Sequence, residues 1–561
     1  MSPKAPSRST SPTARASPCP WTSSLAAPAA KGRKRPAAGQ RVNQAEANPN
    51  AVLLLSPSSL VNGRPRVRAA AYCLLKPLVA ALLLALGGLG GCARGPRYQP
   101  PAVPLPAAWK TPADPAAPIV PQPLTTAEVP APAASPAVAP WWELFADPDL
   151  TALEVQALAN SPTLQAAAAR VDEARANLRI ATSYRLPELT LDPQAYRTRL
   201  SGLRPIPFAL GDGANNRRGV LQTQYYVPLN ASYEADVWGR LRGGIRAARA
   251  DAQAAEADLR TVQLTLTTDA ATYYFGLRAL DADAAVLDTT RQDRLRAVQL
   301  TQARFKAGID NEIALRRAES ELALVEAALL DVQRQRAGLE AALAAAVGRP
   351  ASAFALAARP GVPAPPPAVP VALPAALLAQ RPDLQRAERE LAAAAARVDV
   401  ARLARLPTVS LNGFIGPQSA ELADLPRVAD NYTYYVGGVV SIPIFNGGRL
   451  RATQQVAAAR YDALAAEYRQ RALTAVQEVE TALADVRFRQ QQLAAQEAAQ
   501  RAAHLAVRLT AERYRTGLTS YFEVVDANRV SLESARLLAQ NRGEQLRATV
   551  QLVRALGGSW Q

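Results

Sequence analysis

The sequence predicts an α+β membrane protein composed of very long helices and short β-hairpins, and three observations carry this prediction. Residues 238–308 contain no proline, and their apolar side chains follow one another at steps of three and four, as in a heptad seam. Residues 240–308 recur 209 positions later as residues 449–517, so the fold consists of two copies of one unit. Alternating apolar and polar residues between the helical stretches predict two hairpins, or four strands per chain.

The long helical stretch is expected to be a rod rather than part of a compact domain. About 66 residues at roughly 1.5 Å each give a length of about 100 Å. A rod of this length must lie against other rods, and the second repeat supplies one. The seam of the first rod consists of Leu259, Val262, Leu266, Ala270, Tyr273, Leu277, Leu280, Ala284 and Leu287.

The chain of 561 residues has room for several domains, and its net charge of +17 is unevenly distributed. Residues 1–91 contain 12 Lys/Arg and one acidic residue, a charge of +11, whereas the rest has 52 basic and 46 acidic residues, a charge of +6. We therefore expect no nucleic-acid partner. Cys19, Cys73 and Cys92 precede the repeats, and His504 is the only histidine. Because the repeats lack thiolate and histidine clusters, we expect no metal, no cofactor and no enzymatic activity.

The first 91 residues are predicted to be an export signal behind a spurious extension. Basic residues precede an apolar run at residues 77–91, and its 15 residues are fewer than the roughly 20 that span a bilayer. Residues 1 to about 60 are rich in Pro, Ser and Arg, and Met1 is the only methionine. Translation is therefore expected to start further downstream.

The apolar run ends in Leu89-Gly90-Gly91-Cys92, which resembles the lipobox of bacterial lipoproteins. The resemblance implies cleavage before Cys92 and acylation of its thiol. The residue after Cys92 is Ala93 rather than an aspartate, and for this reason the resemblance also implies transport to the outer membrane. The alternative is a cysteine that follows an ordinary signal peptide by chance.

Two proline-rich stretches divide the remainder of the chain. Residues 92–140 are predicted to form an extended tether, because 14 of the residues from 93 to 140 are prolines. A second stretch, residues 359–374, contains seven prolines and is predicted to be a linker. It separates a first repeat at residues 141–358 from a second at residues 375–561.

Each repeat is predicted to contain a helix, a β-hairpin, a very long helix, a sharp turn and a further helix. In the first repeat, Pro148 marks a helix start, and the helical pattern runs to Tyr184 before Pro187 stops it. Pro162 and Pro187 lie 25 residues apart in the first repeat, and Pro382 and Pro407 repeat this spacing in the second.

The predicted strands belong to an amphipathic sheet, with loops at residues 202–219 and 416–431. Four strands cannot close into a barrel, and an open sheet exposes its edges. Closure requires sharing between chains, with eight strands from a dimer, 12 from a trimer or 16 from a tetramer. A soluble β-barrel and β-caps on coiled coils are the alternatives to a membrane barrel. Aromatic side chains that suit a lipid boundary favour the membrane; they are Tyr225, Tyr226, Tyr432, Tyr434 and Tyr435.

Several motifs together resemble the TolC-like outer-membrane factors, and within them the NodT-type lipoproteins that serve RND efflux pumps. The resemblance covers residues 92–561 and includes the Arg-x-x-x-Gly turns. The other motifs are Trp141-Trp142, Phe145-x-Asp147-Pro148-x-Leu150, Tyr233-Glu234-x-Asp236-x-Trp238-Gly239-Arg240 and Pro443-Ile444-Phe445-x-Gly447-Gly448.

This resemblance implies a homotrimer with a 12-stranded transmembrane β-barrel, contributed by four strands per chain, and a long α-helical tunnel in the periplasm. The expected partners are outer-membrane lipid, a periplasmic adaptor protein and an inner-membrane RND pump. The expected function is a passive exit duct for small molecules such as drugs. An exit duct for type I protein secretion shares the fold and is the alternative, and a periplasmic coiled-coil adaptor is a third hypothesis.

The turns after the two long helices are the first candidate sites. Glycine in a left-handed C-cap after a basic last turn explains both turns by ordinary helix termination. The resemblance adds that they form the tips where adaptor hairpins dock. The residues are Arg304, Gly308 and Ile309 in the first turn and Arg513, Gly517 and Leu518 in the second.

The second candidate site is a periplasmic gate that follows the second turn. The resemblance implies that Phe522 and Asp526 constrict the closed mouth and that Tyr514 helps to latch it, with Glu523 beside them. The alternative is a solvated helix start with favourably placed acids. The first repeat departs from the second here, because the offset of 209 places Arg317 opposite Asp526. A system of two acidic rings cannot therefore be assumed.

Overall fold

The computed structural model describes residues 98–99, 106, 108–110, 140–201, 220–361, 364–369 and 380–558. All of these residues lie in the second of two compact units, which spans residues 82–561. The predictions for the signal region at residues 1–91, for lipid attachment at Cys92 and for the loop at residues 202–219 lie outside the described residues. The same is true of most of the tether and part of the linker.

Seven helices longer than one turn are described, and two of them are very long. They are α1 (Pro148–Asn160), α2 (Pro162–Ser183), α3 (Arg240–Lys306), α4 (Glu312–Ala346), α5 (Pro382–Leu403), α6 (Arg449–Arg515) and α7 (Tyr521–Leu556). Both α3 and α6 contain 67 residues, and their ends are related by the offset of 209. The predicted rods and the predicted duplication are confirmed.

The helix predicted to run from Pro148 to Tyr184 is in fact two helices, α1 and α2, and this prediction was wrong. They meet at Ser161, whose extended backbone separates them. Because Pro162 has no N–H and its ring clashes with the preceding turn, it begins a helix rather than continuing one. The Ser161 Oγ accepts from the backbone N–H of Leu164 at 3.4 Å and caps the new helix.

The described strands are β1 (Glu188–Leu191), β2 (Gln194–Leu200), β3 (Val220–Tyr226), β4 (Leu229–Ala235), β5 (Thr408–Ser419) and β6 (Tyr432–Ser441). They form one antiparallel sheet, in which β1 pairs with β4, β2 with β3, both β3 and β4 with β5, and β5 with β6. Pro193 and Pro228 each interrupt one strand of the first hairpin, since proline cannot donate to a strand ladder. The six segments are therefore the four predicted strands, and both repeats contribute to one sheet.

The loop predicted at residues 416–431 begins later than expected, because β5 continues to Ser419. At Gly416 an added Cβ would lie 2.1 Å from the carbonyl oxygen of Val227, so only glycine fits where β5 crosses the break between β3 and β4. The ladder then resumes, with the backbone N–H of Val227 donating to Pro417 O at 3.0 Å.

The largest buried core lies where the helices of both repeats meet. Trp141 and Trp142 are buried against α1 and α3 in this core, and α7 contributes Val550. The rods are closely packed: α3 contacts α2, α4, α5 and α7, while α6 contacts α5 and α7. Within the described residues, none of the helices combines the length and the apolar character that a membrane-spanning helix needs.

The described residues of the tether contact the helical body. Tyr98 packs against a cluster formed by α5 and α6, and its hydroxyl donates to Glu388 O at 3.4 Å. Trp109 packs against the main core, and the backbone N–H of Lys110 donates to Glu480 Oε1 at 2.6 Å. The tether is therefore docked at two separate places.

Candidate functional site

Each long helix ends in the same glycine-capped turn, which confirms the ordinary interpretation of the two Arg-x-x-x-Gly motifs. Gly308 has φ +70°, the N–H of Ile309 donates to Arg304 O at 2.9 Å, and the N–H of Gly308 donates to Phe305 O at 3.0 Å. These two bonds define a Schellman motif. Asn311 then caps α4, with its Oδ1 accepting from Ala314 N at 3.1 Å.

The second turn repeats this geometry. Gly517 has φ +78°, and the N–H groups of Leu518 and Gly517 donate to Arg513 O and Tyr514 O at 2.9 and 3.1 Å. A left-handed backbone strains any residue with a Cβ. The two turns therefore require glycine for a purely local reason.

Both tips present apolar side chains to solvent. Ile309 is 65% exposed in the first turn and Leu518 is 71% exposed in the second, at positions related by the offset of 209. Ile313, the second residue of α4, is 62% exposed. Exposed apolar side chains grouped at the end of a long rod are typical of a surface that another protein covers.

A cluster of Asp310, Arg304 and Tyr514, which no local sequence pattern predicts, joins the two tips. Asp310 Oδ2 accepts from Arg304 Nε at 2.7 Å and from the Tyr514 hydroxyl at 2.8 Å. The Arg304 guanidinium also lies over the Tyr514 ring, 5.0 Å from its centroid. A comparison of the repeats gives a signal for Asp310. The offset of 209 places the uncharged Thr519 at the corresponding position, so the carboxylate is present in only one of the two turns.

The Tyr514 hydroxyl is a permanent hydrogen-bond donor in this cluster. The side chain is 8% exposed. Burial, followed by its hydrogen bond to Asp310, raises the pKa of Tyr514 to about 12. The phenol therefore stays protonated throughout the physiological pH range.

The four predicted gate residues lie on two different faces of the structure. Phe522 is 56% exposed, and Glu523 and Asp526 are exposed beside it at the start of α7. Tyr514 instead lies in the buried cluster, where its ring is 5.6 Å from that of Tyr521. The structure thus brings together Phe522, Glu523 and Asp526 and separates them from Tyr514.

Arg317 lies next to the predicted gate, although it belongs to the first repeat. It is exposed near the start of α4, and its guanidinium carbon lies 5.1 Å from the centroid of the Phe522 ring. This distance is within the range of a cation–π interaction. The contact joins the starts of α4 and α7 on their exposed side.

Ion pairs hold α7 against its neighbours behind this exposed side. Arg529 Nε donates to Glu321 Oε1 of α4 at 2.8 Å, and Arg536 Nε donates to Asp283 Oδ1 of α3 at 2.8 Å. Arg294 of α3 is 4% exposed, and burial lowers its pKa. Among the described residues, no group of three or more His, Cys, Asp or Glu could hold a metal ion.

A second buried network fixes the middle of α3. Asp281 is 4% exposed and receives hydrogen bonds from Arg278 Nη1 at 3.2 Å, Arg336 Nε at 2.8 Å and the backbone N–H of Arg359 at 3.0 Å. It ties α3 to α4 and to the start of the predicted linker. No local pattern in the sequence points to this network, since its members are up to 78 positions apart.

Two long helical hairpins with matching exposed tips, joined to a sheet at the opposite end, define a channel protein with an α-helical tunnel and a β domain. The family model described as outer membrane efflux protein matches residues 153–349 and 373–558 of this chain. The chain belongs to this family.

Relatives and solved structures are similar over most of their length. The chain is 34% identical to the pyoverdine export outer membrane protein OpmQ of Pseudomonas putida over 423 residues, which are 75% of this chain and 88% of OpmQ. It is 32% identical over 486 residues to the solvent efflux pump outer membrane protein SrpC of Pseudomonas putida, covering 85% and 97% of the two chains. The structure of the outer-membrane channel OprN has a TM-score of 0.74 and 29% identity, and the match covers 84% of this chain and 100% of OprN.

The predicted family, fold class and location are confirmed by these matches. The protein is an outer-membrane efflux channel that extends into the periplasm, and it is not an enzyme.

Proposed function

We propose that this chain is the exit duct of a tripartite efflux system and that it passively conducts small molecules. A periplasmic adaptor and an inner-membrane RND pump would deliver the cargo to the tunnel. The observation that carries the proposal is the pair of matching tips, with Ile309 and Leu518 exposed at equivalent places. A tunnel that ends in two equivalent apolar turns per chain is suited to receive repeated contacts from one kind of partner.

Small molecules are favoured as cargo by the names of the relatives. OpmQ is named for pyoverdine export and SrpC for solvent efflux. These cargoes differ in chemistry. A duct that does not need to bind its cargo can conduct both. A duct for type I protein secretion remains the alternative for this fold.

We propose that three copies assemble. This proposal rests on the resemblance to TolC-like factors and on the exposed edges of the sheet. The outer strands of the described sheet are β1–β2 on one side and β6 on the other. Because an exposed strand edge pairs readily with another chain, copies joined by these edges would form a closed sheet of 12 strands. Exposed apolar side chains on β5 and β6, among them Leu411, Tyr434 and Val436, suit contact with lipid.

The docking site for the adaptor is proposed at the two tips. It comprises Arg304, Gly308, Ile309, Arg513, Gly517 and Leu518. An added Cβ at Gly308 or Gly517 would meet no atom within 4 Å, so each turn has open space around it. Because the Ile309 and Leu518 side chains are 65% and 71% exposed, a substitution of either should affect docking without disturbing the turn.

The closed mouth is proposed at the start of α7. Phe522, Glu523 and Asp526 are exposed in one chain and would face the axis in the assembly. Tyr514 would act from behind them as a latch, through its hydrogen bond to Asp310.

Lipid attachment at Cys92 is also a proposal. Its support is the sequence Leu89-Gly90-Gly91-Cys92 and the docking of Tyr98, six positions later, on the helical body. Intact-mass analysis of membrane-extracted protein is expected to show an acylated chain beginning at Cys92. An unmodified chain with residues before Cys92 would contradict lipid attachment.

The test of the main proposal is complementation in a Gram-negative strain that lacks its own exit ducts. The chain is expressed with an RND pump and adaptor pair, and extrusion of a fluorescent small molecule is measured. We expect extrusion with the wild type and a loss with Ile309→Asp/Leu518→Asp. Leu295→Asp, at a 43% exposed position of α3 about three turns from the tip, is the matched control.

Two outcomes would contradict the proposal. Secretion of a protein substrate without extrusion of small molecules would favour the type I alternative. A monomer in native mass spectrometry of the detergent-extracted protein would contradict the assembly.

A further inference from the structure

The two repeats place opposite charges at equivalent positions beside the mouth. Arg317 and Asp526 each lie nine positions after the glycine of their tip, at 308 and 517, and each lies in the second turn of the helix that follows. The helices α4 and α7 begin at Glu312 and Tyr521, which are also related by the offset of 209. The equivalent geometry of the two turns therefore places Arg317 and Asp526 at the same height.

The charge of Arg317 is not neutralised within the described part of one chain. No carboxylate oxygen lies within ion-pair distance of its guanidinium among the described residues, and its contact there is the Phe522 ring. Its neighbour Arg316 is different, because it pairs with Glu312 at 3.0 Å and Glu319 at 2.9 Å. The two adjacent arginines thus have separate electrostatic roles.

Phe522 fixes where the Arg317 charge is presented. The ring is 56% exposed and belongs to the proposed mouth, and the guanidinium carbon lies 5.1 Å from its centroid. A guanidinium held on an aromatic face keeps its charge and has fewer conformations than a solvated one. The positive charge is therefore presented beside the same residue that flanks Asp526.

We propose that Arg317 is a specificity-determining residue of the mouth. This inference rests on the proposed three-chain duct. In that assembly, three Arg317 side chains alternate with three Asp526 side chains around the axis, so this level carries alternating charges instead of a ring of like carboxylates. Such a mouth discriminates weakly between cations and anions, because each carboxylate has a cation beside it.

The experiment measures ion selectivity of the purified full-length protein in planar lipid bilayers. The reversal potential in a potassium chloride gradient gives the permeability ratio of K⁺ to Cl⁻. Arg317→Gln keeps a polar, unbranched side chain, although a shorter one, and removes the charge. It should raise this ratio at least about fivefold, the Boltzmann factor for one unit charge at contact distance in water. Asp526→Asn should lower the ratio, and the double variant should return towards the wild type.

Arg316→Gln is the matched control. It removes the same charge from the neighbouring position, but there the arginine is already paired with two carboxylates. It is expected to leave the ratio unchanged. A conducting Arg317→Gln channel with wild-type selectivity, or an equal shift in Arg316→Gln, would overturn the inference and leave the duct intact. A wild-type protein that forms no channel would contradict the proposed function and this inference with it.

Discussion

The hydrogen bond between the two hairpin tips can be removed by deleting a single oxygen atom. In Tyr514→Phe, the donor to Asp310 Oδ2 at 2.8 Å is lost. The ring contacts with Arg304 at 5.0 Å and with Tyr521 at 5.6 Å remain possible. Because the pKa of Tyr514 is raised to about 12, the wild-type hydroxyl is a donor at every pH at which the experiment is performed.

The size of the effect follows from the surroundings of the acceptor. A hydrogen bond to a charged group contributes about 1.5–3 kcal/mol. Asp310 keeps its ion pair with Arg304 at 2.7 Å in the variant, so the lower end, about 1.5 kcal/mol per chain, applies. If the proposed three copies open together, about 4.5 kcal/mol is lost from the closed state, which changes the ratio of closed to open by about 10³.

The assay is single-channel recording in planar bilayers, with the fraction of time spent open as the readout. Tyr521→Phe is the control, since Tyr521 is 9% exposed in the same cluster and its hydroxyl has no hydrogen bond to the described residues. Tyr514→Phe should open far more often than the wild type, and Tyr521→Phe should not. Equal behaviour of the two variants would refute the latch, and so would a Tyr514→Phe channel that stays as closed as the wild type.

Three further predictions concern stability, measured by thermal unfolding of the assembled protein in detergent. Gly543→Ala should destabilise the folded protein by about 1–3 kcal/mol, because the new Cβ would lie 2.2 Å from Ala279 Cβ. Gly338→Ala is the control: its new Cβ would meet no atom within 4 Å, so this variant should be neutral or stabilising. Burial raises the pKa of Glu154 to about 9 from its ordinary 4.5, so the stability that is present below about pH 4.5 is lost as the pH rises towards 9. Glu154→Gln should abolish this fall. An unchanged dependence of the unfolding midpoint on pH in the variant would contradict the prediction. Asp281→Asn should cost about 3 kcal/mol or more, since it leaves buried arginines unpaired; an unchanged midpoint would show that the network is dispensable.

Features controlled by nearby residues were predictable from the sequence. The two 67-residue helices follow from long stretches without proline, and their turns follow from glycine four positions after an arginine. The four strands follow from alternation, and the four-residue error from Gly416 to Ser419 arose because glycine usually marks a loop. The break at Pro162 was also a local signal, since Pro162 and Pro382 stand at equivalent distances before Pro187 and Pro407, and each begins a helix.

The contacts between the tips could not be predicted in the same way. Tyr514 and Asp310 are 204 positions apart, and the contact depends on how the two hairpins lie beside each other. The pairing of Arg536 with Asp283 spans 253 positions and has the same origin. No periodicity or local motif encodes such a pair, because each partner could equally well be a solvated surface charge.

The sequence by itself therefore determined the elements, the duplication and the positions of the turns, since backbone preferences and hydrophobic periodicity act over a few residues. The tertiary structure alone decided which charges meet. It placed Asp310 against Tyr514 and Arg317 against Phe522, because the packing of the two helical hairpins brings together two repeats whose side chains differ at equivalent positions. Long-range electrostatics depends on distances across the bundle, and those distances exist only once the helices are packed.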